Sequence, residues 1–261
     1  MRRMAAVWTV LTPMILMTSI VIPEVSWAAK LYLPLILRAP TCSPVFTQLG
    51  TPGDDIQTLL GTAGVDNICQ YGLEGNDTQF AGGAGGNDTI YQDGGRGNDN
   101  QTIRGGDGDD FIYQYGGAGN DNMNADGASG NDWIILEGGD GDDFLLAGGG
   151  DGNDYIIQQG GPGNDTITGD GGLGDDIIQI YGGEGNDTIN YNVSSGLDVV
   201  FIDGGPGYDT LTVNLGAQNL IIKNDQGATL CQFGTGDTIM TIKNIELLTV
   251  LGTDGIPLPC P

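Results

Sequence analysis

The sequence predicts an all-β fold, a two-sheet parallel β-roll or β-solenoid of fifteen 11-residue repeats with 22 residues per coil and a C-terminal β cap. Three observations carry this. Asp recurs at every eleventh position: Asp55, Asp66, Asp77, Asp88, Asp99, Asp110, Asp121, Asp132, Asp143, Asp154, Asp165, Asp176, Asp187, Asp198 and Asp209. A Gly stands two residues before each of them, from Gly53 to Gly207, and another stands five before in every repeat except the one with Val193. Finally, the residue two after Asp alternates in character. Even repeats carry β-branched Ile68, Ile90, Ile112, Ile134, Ile156, Ile178 and Val200, while odd repeats carry Gln57, Gln79, Gln101, Met123, Leu145, Ile167, Ile189 and Leu211.

Each half of the repeat has a local reading. The G-G-x-G half supplies residues that accept positive φ and close backbone approach, so it is a turn. The half after Asp, such as Asp154-Tyr155-Ile156-Ile157-Gln158, is short and β-favouring, so it is a strand. The alternation makes the true unit two strands and two turns, with odd strands stacking into one parallel sheet and even strands into the other. Residues two and four after Asp then point inward. This sets Gln57, Gln79 and Gln101 opposite Gln70, Gln92 and Gln114, as stacked Gln ladders bonding within and across the sheets. From Met123 onward the core turns apolar. Small odd residues (Ala81, Ala125, Ala147, Gly169) face the even Ile row.

The ends depart from the repeat. Residues 1–28 read as an export signal: basic Arg2 and Arg3, an uncharged apolar stretch from Ala5 to Ile22, and a small-x-small site at Ser26-Trp27-Ala28. An uncleaved anchor is the alternative. Either way the chain is expected to be secreted, extracellular or on the cell surface, with no membrane span in the mature part. Residues 29–49 form an N-terminal segment whose run Leu31–Leu37 is an edge strand or a cap over the open end of the array. The array itself covers 50–214. Residues 215–261 read as a β cap with strands at Leu220–Lys223, Ala228–Cys231, Thr238–Ile242 and Ile245–Leu251. Positions suggest the cysteine pairs Cys42–Cys69 and Cys231–Cys260, although three connectivities are open to four cysteines.

Composition narrows function. With 34 acidic residues against 8 basic ones and a net charge of −26, nucleic acid and anionic membrane are excluded as natural partners. There are 48 Gly but only 11 Pro and no Gly-X-Y period, which excludes collagen. The sequence has no His, so His-based triads and His metal sites are absent and an enzyme is not expected.

One carboxylate per turn beside Gly-rich backbone carbonyls is a hard oxygen set of the kind that suits Ca²⁺. The stretches G-G-P-G-N-D-T-I (Gly160 to Ile167) and G-G-E-G-N-D-T-I (Gly182 to Ile189) resemble the G-G-x-G-x-D-x-U-x repeat of the hemolysin-type RTX family. The resemblance covers Gly50 to about Asn214. It implies that turns of successive coils sandwich several Ca²⁺ ions, with Asp55 through Asp209 as the carboxylate ligand set. Two features depart from that family: eleven residues per repeat rather than nine, and an N-terminal rather than a C-terminal export signal. The turns Gly61–Asp66 and Val193–Asp198 also lack the second Gly. Eight odd and seven even turns leave at most thirteen gaps between coils. Loss of Arg2, Arg3 and Glu24 would bring the charge to −27, which thirteen Ca²⁺ would almost cancel. Folding coupled to Ca²⁺ is therefore expected, in a structural or adhesive protein. The competing reading keeps the solenoid and makes the Asp residues plain turn caps.

A second surface feature is an outward stripe on the even sheet: Tyr91, Phe111, Tyr113, Trp133 and Tyr155, with Ile135 and Ile157. It is either a docking face for a second roll, an envelope component or a glycan, or cross-strand stacking that holds the sheet. The Thr-rich odd face would suit ice or surface binding, but Asn100, Asn122 and Phe144 break its grid.

Overall fold

A computed structural model describes residues 46–260. The export signal, the Leu31–Leu37 run and Cys42 lie outside the described residues. The chain forms strands β1 (Phe46–Leu49), β2 (Ile56–Leu60), β3 (Asn67–Glu74), β4 (Thr78–Gly85), β5 (Thr89–Arg96), β6 (Asn100–Asp107), β7 (Phe111–Ala118), β8 (Asn122–Ser129), β9 (Trp133–Asp140) and β10 (Phe144–Asp151). It continues through β11 (Tyr155–Pro162), β12 (Thr166–Leu173), β13 (Ile177–Glu184), β14 (Thr188–Asn192), β15 (Val199–Asp203), β16 (Thr210–Gly216), β17 (Leu220–Asn224), β18 (Thr229–Phe233), β19 (Thr238–Lys243) and β20 (Leu247–Gly252). No helix occurs among the described residues.

The strands divide into the two sheets that the alternation predicts. Strands of the even repeats make sheet I, in the order β1-β3-β5-β7-β9-β11-β13-β15-β19-β17-β18. Strands of the odd repeats make sheet II, in the order β2-β4-β6-β8-β10-β12-β14-β16-β20. Pairing within the array is parallel with a step of 22 residues, as in Ile68 opposite Ile90 and Leu145 opposite Ile167. A step of 22 stacks equivalent repeat positions, so like side chains form rows wherever the repeat conserves them, as in the Ile row from Ile68 to Ile178.

The core lies between the sheets and is built as the alternation requires. Ile68, Ile90, Ile112, Ile134, Ile156 and Ile178 form one continuous buried row of sheet I. Ala81, Ala125 and Ala147 are buried in sheet II. At Gly169 a Cβ would press on Gln158 Oε1 and the Ile180 methyl, so the absent side chain leaves room for both. In the N-terminal half the Gln ladders form. Gln79 Nε2 donates to Gln57 Oε1 and Gln101 Nε2 to Gln79 Oε1, each at 2.9 Å. Gln92 donates to Gln70 at 2.7 Å and Gln114 to Gln92 at 2.9 Å. The bonds across the core differ from expectation. They run to main-chain carbonyls of the opposite sheet, as in Gln79 to Asp93 O at 3.1 Å and Gln92 to Thr102 O at 3.2 Å, not from Gln to Gln. The second amide hydrogen of Gln79, Gln92, Gln101 and Gln114 is thus satisfied across the core.

The boundaries shift at both ends. Phe46–Leu49 pairs with β3, so the solenoid begins inside the segment expected to be a separate N-terminal one. The C-terminal segment covers the last coil by joining it. β19 pairs parallel with β15 and β20 with β16, so both sheets gain a further rung. Beyond them β17 and β18 form an antiparallel hairpin that ends sheet I, with its turn at Asn224–Gly227. Cys231 and Cys260 form a disulfide, as the spacing suggests. Cys69 is also disulfide-bonded; its expected partner is outside the described residues.

Candidate metal centre

The repeat Asp residues form two internal ladders, one along each corner of the roll, and almost all are buried. One oxygen of each carboxylate is committed to the backbone. The N–H of Asp55 donates to Oδ1 of Asp77 at 2.7 Å, that of Asp77 to Asp99 at 2.7 Å, and so on through Asp187 to Asp209 at 2.9 Å. The even ladder repeats this from Asp66 to Asp88 at 2.7 Å through Asp176 to Asp198 at 3.2 Å. Each Asp therefore caps the turn of the preceding coil, 22 residues away, where the turn-cap reading expects a local bond within its own turn. At the C-terminal end of the odd ladder Glu246 takes over, accepting the N–H of Asp209 at 2.7 Å. A second, exposed ladder runs one residue earlier and in the opposite sense. There the N–H of Asn76 donates to Asp54 Oδ1 and that of Asn98 to Asn76 Oδ1, both at 2.8 Å.

The other carboxylate oxygen is what the turn-cap reading leaves unexplained. In twelve of the fifteen residues Oδ2 is buried without any hydrogen-bond partner: Asp77, Asp88, Asp99, Asp110, Asp121, Asp132, Asp143, Asp154, Asp165, Asp176, Asp187 and Asp209. The three others have donors. Thr51 and Thr62 each turn backbone N–H and hydroxyl onto Oδ2 of Asp55 and Asp66, the hydroxyls at 3.0 Å. Ser194 and Thr238 donate to Oδ2 of Asp198 at 3.1 and 3.2 Å. These hydroxyls were not among the expected site residues. The signal was present, since these three repeats alone carry Thr or Ser where the second Gly would stand.

The glycines explain themselves at this site, and not quite as a flexible turn. In mid-array the first Gly lies in extended strand, as at Gly138, and the second and the fourth carry the positive φ, as at Gly139 (112°) and Gly141 (137°). The first is required for space. A Cβ at Gly138 would collide with Asp143 Oδ2 and stand 2.6 Å from the carbonyl oxygen of Gly160 in the next coil. The same arrangement recurs at Gly94, beside Asp99 and the Gly116 carbonyl. So the bare carboxylate oxygen and a carbonyl oxygen from the following coil face one hydrogen-only surface. One of these carbonyls also takes a backbone bond: Gly204 O accepts the Gly183 N–H at 3.0 Å, which leaves its second lone pair.

Electrostatics agrees with the geometry. Burial pushes Asp121, Asp132 and Asp165 up to about 7, against an ordinary 3.8. Neighbouring carboxylates of the same ladder add to the rise, and the backbone N–H bond partly offsets it. Burial acts likewise on Asp99, Asp110, Asp143, Asp154, Asp176 and Asp187, to about 6. An acceptor-rich, donor-poor cavity beside a carboxylate disfavours the bare anion and favours a proton or a cation. The sequence discriminates between them. Asn would keep the Oδ1 acceptor and offer the carbonyl a neutral N–H, yet the inner position is Asp fifteen times in fifteen. The outer ladder, one residue away, accepts Asn at Asn76, Asn98, Asn120, Asn164 and Asn186. The inner position is always a carboxylate, whose oxygens are of the kind that could hold a hard divalent cation. No group of three acidic or thiol side chains converges among the described residues. A cation held here would take one carboxylate oxygen per turn and complete its shell with main-chain carbonyls and water.

The aromatic stripe is more enclosed than expected. Tyr91 and Tyr113 are 7% and 5% exposed, packed in a row with Cys69, Ile135 and Ile157. Tyr91 and Tyr113 stack at 5.4 Å with planes 12° apart. Phe111 and Tyr155 are half-buried, and Trp133 is 36% exposed, edge-on to Tyr155 at 5.1 Å. Rungs about 4.8 Å apart let large side chains cover one another, which the outward alternation alone does not reveal. On sheet II, Asn100, Asn122 and Phe144 occupy consecutive rungs, so the Thr grid is interrupted in space as well as in sequence.

Fold and site together define a class: a parallel two-sheet β-solenoid with an internal Asp ladder at each corner. Comparison with known proteins adds no family to this, because no family model matches the chain and no curated protein matches its sequence.

Proposed function

We propose that this protein is an exported calcium-binding β-roll of the RTX-like type, non-enzymatic, with a structural or adhesive role at or beyond the cell surface. The observation that carries it is the row of twelve buried Asp Oδ2 atoms without a donor, each set beside a Gly Cα that leaves the space open. These twelve Asp residues would hold the ions, with carbonyls such as Gly94 O, Gly116 O and Gly160 O of the following coil as neighbours. Bound calcium supplies the positive charge that the buried carboxylates lack. The chain's own part is to align the carboxylates: the Asp-to-Asp N–H bonds hold Oδ1, and the first Gly of each repeat clears the space before Oδ2. Because the same residues join successive coils, binding and folding are one process.

Circular dichroism of the chain during a CaCl₂ titration, reversed by EDTA, tests this. A cooperative and reversible gain of β signal at neutral pH is expected. An EDTA-treated chain with full β signal and no calcium uptake refutes it. The alternative, a ligand- or glycan-binding or self-assembling face on sheet I, draws less support. Tyr91 and Tyr113 are packed away, which favours stacking as the work of that stripe.

A further inference from the structure

We propose that the fifteen Asp turns are of two kinds, and that three of the four ladder ends are turns built to do without the ion, while Asp209 at the fourth end stays bare. This inference rests on the calcium reading above. Twelve turns leave Oδ2 bare. In the other three a hydroxyl stands where the second Gly of the repeat belongs, and it donates to that same oxygen. The placement is not scattered. Asp55 opens the ladder of sheet II, Asp66 opens that of sheet I, and Asp198 closes that of sheet I. At Asp198 a second hydroxyl, Thr238 of the terminal rung, joins the first.

The physical logic is that of an unfinished shell. An ion between two coils takes oxygens from both, as Asp143 Oδ2 and Gly160 O illustrate. Asp55 and Asp66 keep the following coil's carbonyls, Gly72 O and Gly83 O, but have no repeat turn before them, and Asp198 has Val193 in place of the first Gly; Asp209 keeps both its Gly and a carbonyl, Asn244 O. A hydroxyl donor answers the carboxylate without needing a neighbour. The backbone shows the same exchange. In the twelve bare turns the residue after the first Gly has positive φ, including Leu73 (85°), Ala84 (79°) and Ala128 (79°) among non-glycines; Thr51, Thr62 and Ser194 do not. In the non-positive conformation the Thr51 and Thr62 amides also point at Oδ2. The hydroxyl and the turned amide therefore replace the ion together. Saturation is expected at no more than twelve ions, below the thirteen that the gaps between turns would allow.

The test is calcium stoichiometry of the full chain at saturation, by native mass spectrometry and by equilibrium dialysis, with circular dichroism as a check on folding. Thr62→Gly removes the hydroxyl and permits the positive φ, so it gains one ion. Ala84→Thr extends the hydroxyl end by one rung to Asp88 and loses one. Thr62→Ser keeps a hydroxyl and leaves the count unchanged. More than twelve ions on the wild type, or equal counts on wild type, Thr62→Gly and Ala84→Thr, overturns the inference while calcium binding stands. A wild type that takes up no calcium removes the calcium reading itself, and this inference with it. Since the wild-type count decides on its own, a variant that misfolds does not shelter the idea.

Discussion

Replacing Asp143 by Asn in mid-ladder separates the cost of the buried charge from its use. Asn keeps the Oδ1 acceptor that Asp121 N–H requires and sets an amide N–H₂ where the bare Oδ2 stands, next to the Gly160 carbonyl. Burial, with the Asp142 and Asp140 charges nearby, raises the Asp143 carboxyl from 3.8 to about 6. A group whose folded value is raised destabilises the fold once it ionises. The penalty is absent below the unfolded value near 4, grows between 4 and 6, and is complete above 6. Its full size is about 3 kcal/mol, from roughly two units at about 1.4 kcal/mol each. In EDTA at pH 7.5, Asp143→Asn therefore gains up to about 3 kcal/mol, and at pH 3.5 only about 0.3 kcal/mol. With calcium the sign turns. The variant forgoes one ion, worth about 2.7 kcal/mol at a hundredfold excess over Kd. Urea unfolding followed by circular dichroism, at both pH values with and without calcium, reads all four quantities. A variant no more stable than the wild type in EDTA at pH 7.5 refutes the reasoning, as does an equal gain at pH 3.5.

The other predictions follow the same ladders. In EDTA the wild type should lose β signal as pH rises through 6 to 7, because nine ladder carboxylates with raised values ionise there; a pH titration that unfolds it only at the acid end contradicts this. Gly138→Ala should be severely destabilising, by more than about 2 kcal/mol, since its Cβ would meet Asp143 Oδ2 and the Gly160 carbonyl in a stack that cannot shift one rung alone. Ala128→Gly should stabilise by about 1 kcal/mol, measured as a rise in Tm, because Ala128 holds a φ of 79°. Gln92→Leu should cost about 1–3 kcal/mol, since it leaves Gln114 Nε2 and Gln70 Oε1 without their ladder bonds.

The 11-residue period and its 22-residue superperiod were enough to place both sheets, their parallel register, the Ile row and the Gln ladders. A solenoid repeats one local rule, so neighbours in space are neighbours in pattern, and periodicity reads as contact. The same rule singled out Asp55 to Asp209, which form the two internal ladders. Three things were decided only in three dimensions. One is the division of labour within each carboxylate, Oδ1 to a backbone N–H and Oδ2 left bare, which depends on the direction of hydrogen bonds between coils. Another is the reason for the first Gly, whose absent Cβ makes room for a carboxylate five residues away and a carbonyl one coil on. The last is the ends: β19 and β20 extend the sheets at spacings of 40 and 37 residues from β15 and β16, where no period announces them. Sequence by itself determines what recurs in such a protein. Where recurrence stops, Thr238 and Glu246 meet Asp198 and Asp209 across 40 and 37 residues, and only the folded chain brings them together.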